Sequence, residues 1–283
     1  MAETHSQIGA PTADDQRRLE GLDRCLTAYR SVVVAFSGGV DSTFLAWRAA
    51  RVLGPSSLAV TAVSASLAPA DRERARNLAI DFDIPHLEMP TAELERPEYR
   101  QNGADRCFHC KTELFEGLAE LARQRDFAVL CYGAIPEDQQ DHRPGARAAA
   151  LAGARAPLAE AGLTKPCIRR LSKEAGLPTY DLPAQACLAS RIAYHTEVTG
   201  EKLAMVASAE AFLRGLGFSE CRVRHHQGLA RIEVPRERLA ELTERADAVS
   251  GRLRELGFVY VTIDLMGLRS GSMNELLRLP VVG

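Results

Sequence analysis

Six residues between Ser37 and Ser42 read Ser-Gly-Gly-Val-Asp-Ser. Two adjacent glycines, Gly38 and Gly39, let a backbone approach a ligand with no Cβ in the way. If a helix starts there, its free N–H groups and its dipole make an anion site. Ser37, Ser42 and Thr43 add hydroxyl donors. The chemistry on offer is phosphate binding. No Gly-Lys-Ser/Thr follows, so this is not the Walker loop, and the Gly-x-Gly-x-x-Gly spacing of a dinucleotide fingerprint is absent. Asp41 would repel phosphates unless it helps to hold Mg²⁺. The plainer alternative is a glycine-rich turn with a capping aspartate.

Sulfur is the second resource. Cys107 and Cys110 form a Cys-x-x-Cys with a basic residue on each side, Arg106 and Lys111. Flanking cations favour thiolates, the form that binds metal and attacks. A redox pair, half of a zinc site, part of an iron–sulfur site and plain unligated thiols all remain open. Zinc would need a second pair of ligands, and His225 with His226 is a poor one, because neighbours in a strand point to opposite faces. Cys187 stands alone in Gln-Ala-Cys-Leu-Ala-Ser-Arg. Arg191, close by, can steady an anionic intermediate or favour the thiolate. Cys25, Cys131 and Cys167 read as packing, and Cys221 has no partner that can be named.

These groups need elements to position them. Ser31–Phe36 is a short apolar, β-branched run, which predicts a buried parallel strand leading into the glycine loop. A helical pattern follows and stops at Gly54. Further strands are expected at 57–63, 86–90 and 127–133, with helices at 71–84 and 111–124 between them. Strands alternating with helices imply a parallel sheet covered on both faces. Ligands of such sheets lie beyond the carboxyl ends of the strands, so Val63–Ala68, including Ser64, and Gly133 are candidate walls for an adenine. From about 199 the order becomes helix, two alternating strands, helix, strand, which is a small α+β unit. The expected organisation is a disordered lead-in at 1–18, an α/β nucleotide-binding domain at 19–185 and a C-terminal α+β domain at 186–283. Cys187 then falls at the seam, a favoured place for a ligand site.

Bulk properties narrow the class. The chain has 283 residues, 46% hydrophobic and 25% charged, with a net charge of −2. That composition is that of a globular protein, and its charge argues against a large nucleic-acid-binding surface. No apolar run reaches the roughly 18 residues that span a bilayer, and the first residues carry no secretory pattern. Seven cysteines without an export signal point to a reducing, cytoplasmic setting.

The complete Ser-Gly-Gly-x-Asp-Ser after a first strand resembles the pyrophosphate loop of the PP-loop ATPases, which split ATP between the α and β phosphates to adenylate a substrate. Together with Asp181–Tyr194, Arg222–Pro235 and Val261–Glu275, it makes the chain resemble the LarE sulfur transferases from about Gly21 onward. The resemblance implies a two-part reaction. ATP adenylates a carboxylate of pyridinium-3,5-biscarboxylic acid mononucleotide and releases pyrophosphate. Sulfur then converts that carboxylate to a thiocarboxylate, and the sequence repeats on the second one. A thiolate at Cys187 can attack an acyl-adenylate, and in a sacrificial version Cys187 gives up its own sulfur. The presence of Cys107 and Cys110 as well resembles the three-cysteine branch, whose thiolates match a 4Fe-4S ligand set with an open iron, and this version is preferred.

By the same resemblance, Arg222 and Arg224 bind the substrate phosphate and Glu210 is an acidic helix position facing the site. Arg269, Ser270 and Ser272 offer a second anion site in a glycine-rich turn, and Asp141–Arg147 can reach the nucleotide. A homo-oligomer, and product handover to other cofactor-building enzymes, also follow from the resemblance, with neither nucleic acid nor membrane as partner. One run departs from the family pattern of Gly-x-Asn-x-Asp-Asp: here Ile135 replaces Asn and Glu137 replaces the first Asp, while Asp138 keeps its acid. Other readings are a tRNA thiolase, which needs a basic face; an amidating synthetase, which needs an ammonia source; and a non-catalytic nucleotide-binding module, which leaves the three cysteines without a shared role.

Overall fold

The computed structural model describes residues 8–139, 144–183, 186–269 and 271–273. Its elements run α1 (Ala13–Tyr29), β1 (Val32–Ala35), α2 (Val40–Leu53), β2 (Ser57–Val63), α3 (Pro69–Asp81), β3 (His86–Pro90), α4 (Pro97–Arg100), α5 (Arg106–Gln124), β4 (Val129–Cys131), α6 (Pro136–Gln139), α7 (Pro144–Leu151), α8 (Pro157–Glu160) and α9 (Lys165–Glu174). They continue with α10 (Gly200–Gly215), β5 (Arg222–His226), β6 (Leu229–Glu233), α11 (Leu239–Glu244), α12 (Ala246–Glu255) and β7 (Tyr260–Ile263).

Contacts divide the chain into two units. The first holds 1–64, 69–91 and 107–185, and the second holds 65–68, 92–106 and 186–283. In the first, the sheet order is β3-β2-β1-β4 with every pairing parallel. Val32, Val33 and Val34 are wholly buried, as a strand covered on both faces requires. On one side Val32 and Val34 pack with Phe44, Leu45, Leu26 and Ile168; on the other, Val33 packs with Val60, Phe115 and Leu118. This is the α/β architecture that the alternating pattern predicts. In the second unit, β5 and β6 are antiparallel and β7 joins β6 in parallel, giving a small mixed sheet with helices.

Two elements differ from the sequence expectation. The lead-in expected over 1–18 is helical from Ala13 among its described residues. Thr12 and Asp15 form a reciprocal capping box, and Arg170 pairs with the buried Asp15 carboxylate. These polar contacts start a helix where hydrophobic periodicity gives little signal. The long helix expected after Pro235 is broken into a 3-10 turn at Arg236–Arg238, then α11 and α12, with Arg245 leaving helical geometry between the last two. No helix among the described residues is long and apolar enough to cross a membrane.

Candidate active site

The glycine loop lies between β1 and α2. Gly38 has φ +70°, a left-handed conformation that a side chain disfavours. A Cβ on Gly38 would also meet the Ala75 backbone of α3 at 3.3 Å. Gly39 is the N-cap of α2 and has no side chain to cap it, so the amides of the first turn are left for a ligand. The hydroxyls of Ser37 and Ser42 lie 3.0 Å apart, and Ser42 Oγ donates to Gly39 O. Gly133, after β4, abuts the same turn: a Cβ there would sit 3.0 Å from the Ser42 amide nitrogen. The Thr43 hydroxyl is buried with no partner. Ser64 follows β2 directly and is half-buried.

Asp41 sits in the first turn of α2. One oxygen, Oδ2, accepts from Lys165 Nζ, and the other, Oδ1, is buried with no hydrogen-bond partner. Burial raises the Asp41 pKa above the usual carboxylate range, against the pull of Lys165. A buried carboxylate oxygen without a donor is a costly arrangement that a bound cation relieves. These residues therefore fit a magnesium ion carried with the phosphates.

In the second unit, Cys187 precedes a 3-10 turn, Leu188–Arg191, and is exposed. Its carbonyl accepts from the Ser190 amide at 3.0 Å and the Ser190 hydroxyl at 2.7 Å. Leu188 N donates to Ser66 O. Arg191 is 5% exposed and donates from Nη1 to Ala186 O, Cys187 O and Ser190 Oγ. Nη1 of Arg191 thus holds the backbone that carries Cys187. Glu210, 1% exposed on α10, accepts from Arg191 Nε at 2.8 Å, from Arg214 and from the Val223 amide. Glu210 is thereby the buried anchor of the turn and of β5.

Arg222 and Arg224 lie two apart on β5 but differ in role. Arg224 is 3% exposed and is bound to Glu233 at 2.8 Å and to the Ser272 hydroxyl. Ser272 in turn donates to Glu233. Arg222 Nη1 donates to Arg269 O, and Arg222 has no ion pair among the described residues. Its pKa is lowered by burial first and then by the nearby cations Arg224 and Arg191. A half-buried guanidinium among like charges is a place where an anion is welcome. Arg269 itself pairs with Asp264.

Cys107 and Cys110 stand in the first two turns of α5, Cys107 exposed and Cys110 half-buried. Burial pushes the thiols of Cys167 and Cys221 up to about 12 and that of Cys131 still higher; Cys25 on α1 is raised by burial too. Cys107 and Cys187 are exposed and Cys110 is half-buried, and thiolates are the ligands that iron–sulfur clusters take. Among the described residues, no three His, Cys, Asp or Glu side chains already stand together as a metal-holding group. His225 packs against Phe258 rather than pairing with His226, and burial lowers both pKa values.

Ile135 is buried in the first unit's core, so the position where an Asn is expected serves packing. Asp138 Oδ2 caps the Ile135 amide. The expectations on Ser270 and on Asp141–Arg143 fall outside the described residues, as do Ala184 and Gln185. Sequence reading did not single out Lys165, Asn102 or Glu233, and took Arg106 only as a cation beside Cys107. Asn102, wholly buried with φ +57°, donates to Ala193 O and Thr196 O, and Arg106 donates to Ala189 O. Both brace the segment after Cys187, and the one local signal for this is the turn-forming Asn-Gly at 102–103.

No protein-family model matches the chain. Among curated proteins it is 41% identical, over 93% of its length and 98% of the relative's, to an uncharacterized protein of Synechocystis sp.. It is 37% identical, over 90% of its length and 93% of the relative's, to pyridinium-3,5-bisthiocarboxylic acid mononucleotide synthase of Lactiplantibacillus plantarum. An uncharacterized protein of Methanocaldococcus jannaschii is 26% identical over 85% of the chain and 92% of its own length.

Proposed function

Because the chain belongs to the LarE-type family of pyridinium-3,5-bisthiocarboxylic acid mononucleotide synthases, we propose that it is an ATP-dependent sulfur transferase acting on pyridinium-3,5-biscarboxylic acid mononucleotide. A carboxylate is a poor electrophile, and adenylation makes it a good one. The substrate carboxylate attacks the α-phosphorus of ATP, the bond to the β-phosphate oxygen breaks, and pyrophosphate leaves. Amides of the Ser37–Ser42 loop bind that leaving group, with Gly38 and Gly133 keeping the cradle open. Asp41 holds magnesium, which neutralises charge on the phosphates when bound. Arg222 binds the substrate phosphate, and Arg224, tied to Glu233, fixes the strand that carries it.

Sulfur then displaces AMP from the acyl-adenylate, leaving a thiocarboxylate, and the second carboxylate follows the same course. Cys107, Cys110 and Cys187 would be the ligands of a 4Fe-4S cluster, which would supply the transferable sulfide. Arg191 and Glu210 keep the Cys187 turn in one conformation. Seven free thiols suit a reducing cytoplasm. A homo-oligomer that hands its product to later cofactor-building enzymes is part of the same reading.

The observation that carries this proposal is the exposed Cys187 on a turn anchored by the buried Arg191–Glu210 pair, in a chain of this family. Anaerobically purified protein is expected to be brown, with about four irons per chain. With ATP and the biscarboxylate nucleotide it should release pyrophosphate and form thiocarboxylate. Cys187→Ala should still release pyrophosphate, form no thiocarboxylate and lose the colour. No pyrophosphate from the unaltered protein would sink the adenylation reading. A chain lighter by one H₂S after turnover would replace the cluster with sacrifice of the Cys187 sulfur.

A further inference from the structure

After β3 the chain leaves the first unit, spends residues 92–106 in the second, and rejoins the first at Cys107. Within the second unit, that excursion grips the segment after Cys187 at successive points. The buried hydroxyls of Ser66 and Tyr99 share a hydrogen bond, and Ser66 O accepts from the Leu188 amide at 3.0 Å. Arg106 Nη1 donates to Ala189 O at 2.9 Å and also to Asn102 Oδ1. Asn102 Nδ2 donates onward to Ala193 O at 2.7 Å and to Thr196 O at 3.0 Å. The Arg106 guanidinium lies 6.0 Å from the centre of the Tyr194 ring, and Arg106 is 6% exposed. Arg106 is the first residue of α5 and Cys107 the second. Cys110 follows at i+3, so two thiols share one side of a helix. Cys187 comes from another segment, whose turn Arg106 reaches across 83 positions of sequence.

We propose that Arg106 is the positioning residue of the three-cysteine set: it fastens the start of α5, and so the root of Cys107, to the turn that carries Cys187. This rests on the cluster reading above. Two ligands on one helix come with a fixed spacing. The third has to be held against the freedom of the long stretch of chain between them. Groups that orient a metal ligand are part of the site's affinity, because a cluster tolerates only a narrow range of ligand placements. Arginine suits the task. Its planar fork keeps several donors in a fixed geometry, and here one nitrogen serves two oxygens. A buried cation is costly without such partners, so the guanidinium stays on Ala189 O and Asn102 Oδ1 unless the packed segment opens. Among the described residues no metal-holding group of three is already assembled. Arg106 therefore acts on the backbone roots of Cys107 and Cys187, and the thiol side chains turn to meet the iron.

The test reads iron retention and nucleotide binding on the full chain, reconstituted anaerobically with iron and sulfide. Against a competing iron chelator, Arg106→Met should hold its cluster about 10- to 100-fold less tightly than the parent, the range for a residue that orients a metal ligand. Its ATP affinity, read by calorimetric titration, should stay at the parent's value. Arg106→Lys, which keeps a donor for Ala189 O, should retain more iron than Arg106→Met. A second readout needs no cluster. In iron-free chains carrying Cys110→Ser, a short bifunctional thiol reagent should join Cys107 to Cys187, and adding Arg106→Met should lower the yield of that link. Equal iron retention with and without Arg106→Met, or an equal cross-linking yield, overturns the assignment of Arg106 and leaves the cluster reading standing. Parallel loss of ATP binding and iron makes Arg106 a general support of the fold, which overturns the assignment as well. A parent that takes up no iron overturns the cluster reading and this assignment with it.

Discussion

Cys187 is exposed, yet the turn that carries it is tied to a buried ion pair. Arg191 and Glu210 make the difference. Their side chains are 6% and 1% exposed, and Arg214 shares the same carboxylate. A buried pair of this kind is a weak source of net stability, but removing one member leaves an uncompensated buried charge. Glu210→Ala is therefore expected to destabilise the protein by about 3–5 kcal/mol. Glu210→Gln, which keeps acceptors for Arg191 and Val223, should cost less. Denaturant midpoints of the three proteins check the order, and equal midpoints for Glu210→Ala and the parent would deny Glu210 its anchoring role. The cysteines sort by the same physics. Burial raises the Cys131, Cys167 and Cys221 thiols, which disfavours the reactive thiolate there, whereas Cys107 and Cys187 are exposed.

At the scale of elements, the glycine loop works through close approach. Gly133 follows β4 and abuts the first turn of α2, where a methyl group would lie 3.0 Å from the Ser42 nitrogen and 3.2 Å from the Asp41 carbonyl carbon. Backbone cannot swing aside as a side chain can, so the turn must shift. Gly133→Ala should weaken ATP binding by about tenfold, from an overpacking cost of about 1–3 kcal/mol felt at the site. Gly200 begins α10 with nothing within 4 Å of an added Cβ. Gly200→Ala should leave ATP binding unchanged and be neutral or mildly stabilising. ATP titrations of both variants read the contrast, and a Gly133→Ala protein with parental affinity would remove Gly133 from the cradle.

At the scale of the molecule, titrating groups set an acid limit. His86, His225 and His226 all have pKa values lowered from 6.5, each chiefly by burial. Below pH 6.5 the unfolded chain takes up protons that the folded chain resists, so stability falls as the pH drops from there. Carboxylates add a second stage. Glu88 is held down to about 2 by Arg72 and then Arg76, and Asp15 lower still, chiefly by Arg170. Their contribution is complete above the usual carboxylate range and is lost as pH falls toward those lowered values. The unfolding temperature should therefore decline in two stages, first below about pH 6.5 and again below about pH 4. Replacing His86, His225 and His226 together by Gln should flatten the first stage and leave the second. A midpoint that stays level from neutral pH down to the carboxylate range would contradict the histidine assignment.

The sequence alone determined the parallel α/β sheet, the position of the glycine loop between β1 and α2, and the small C-terminal α+β order. Each is written in local pattern: β-branched runs for buried strands, alternation for half-buried ones, and adjacent glycines where a Cβ would collide. It also picked out Cys107, Cys110, Cys187 and Arg191 by residue type, and Glu210 and Arg222 through the family resemblance. Tertiary structure decided the rest, because a polar side chain's task depends on partners far away in sequence. Arg224 pairs with Glu233 across the β5–β6 ladder, Asp41 with Lys165 from 124 positions on, and Asn102 with carbonyls more than 90 positions away. No periodicity encodes such pairs, since a buried charge is satisfied by whichever donor the fold delivers. The start of α1 at Thr12 belongs to the same class, because its Asp15 is completed by Arg170, 155 residues later.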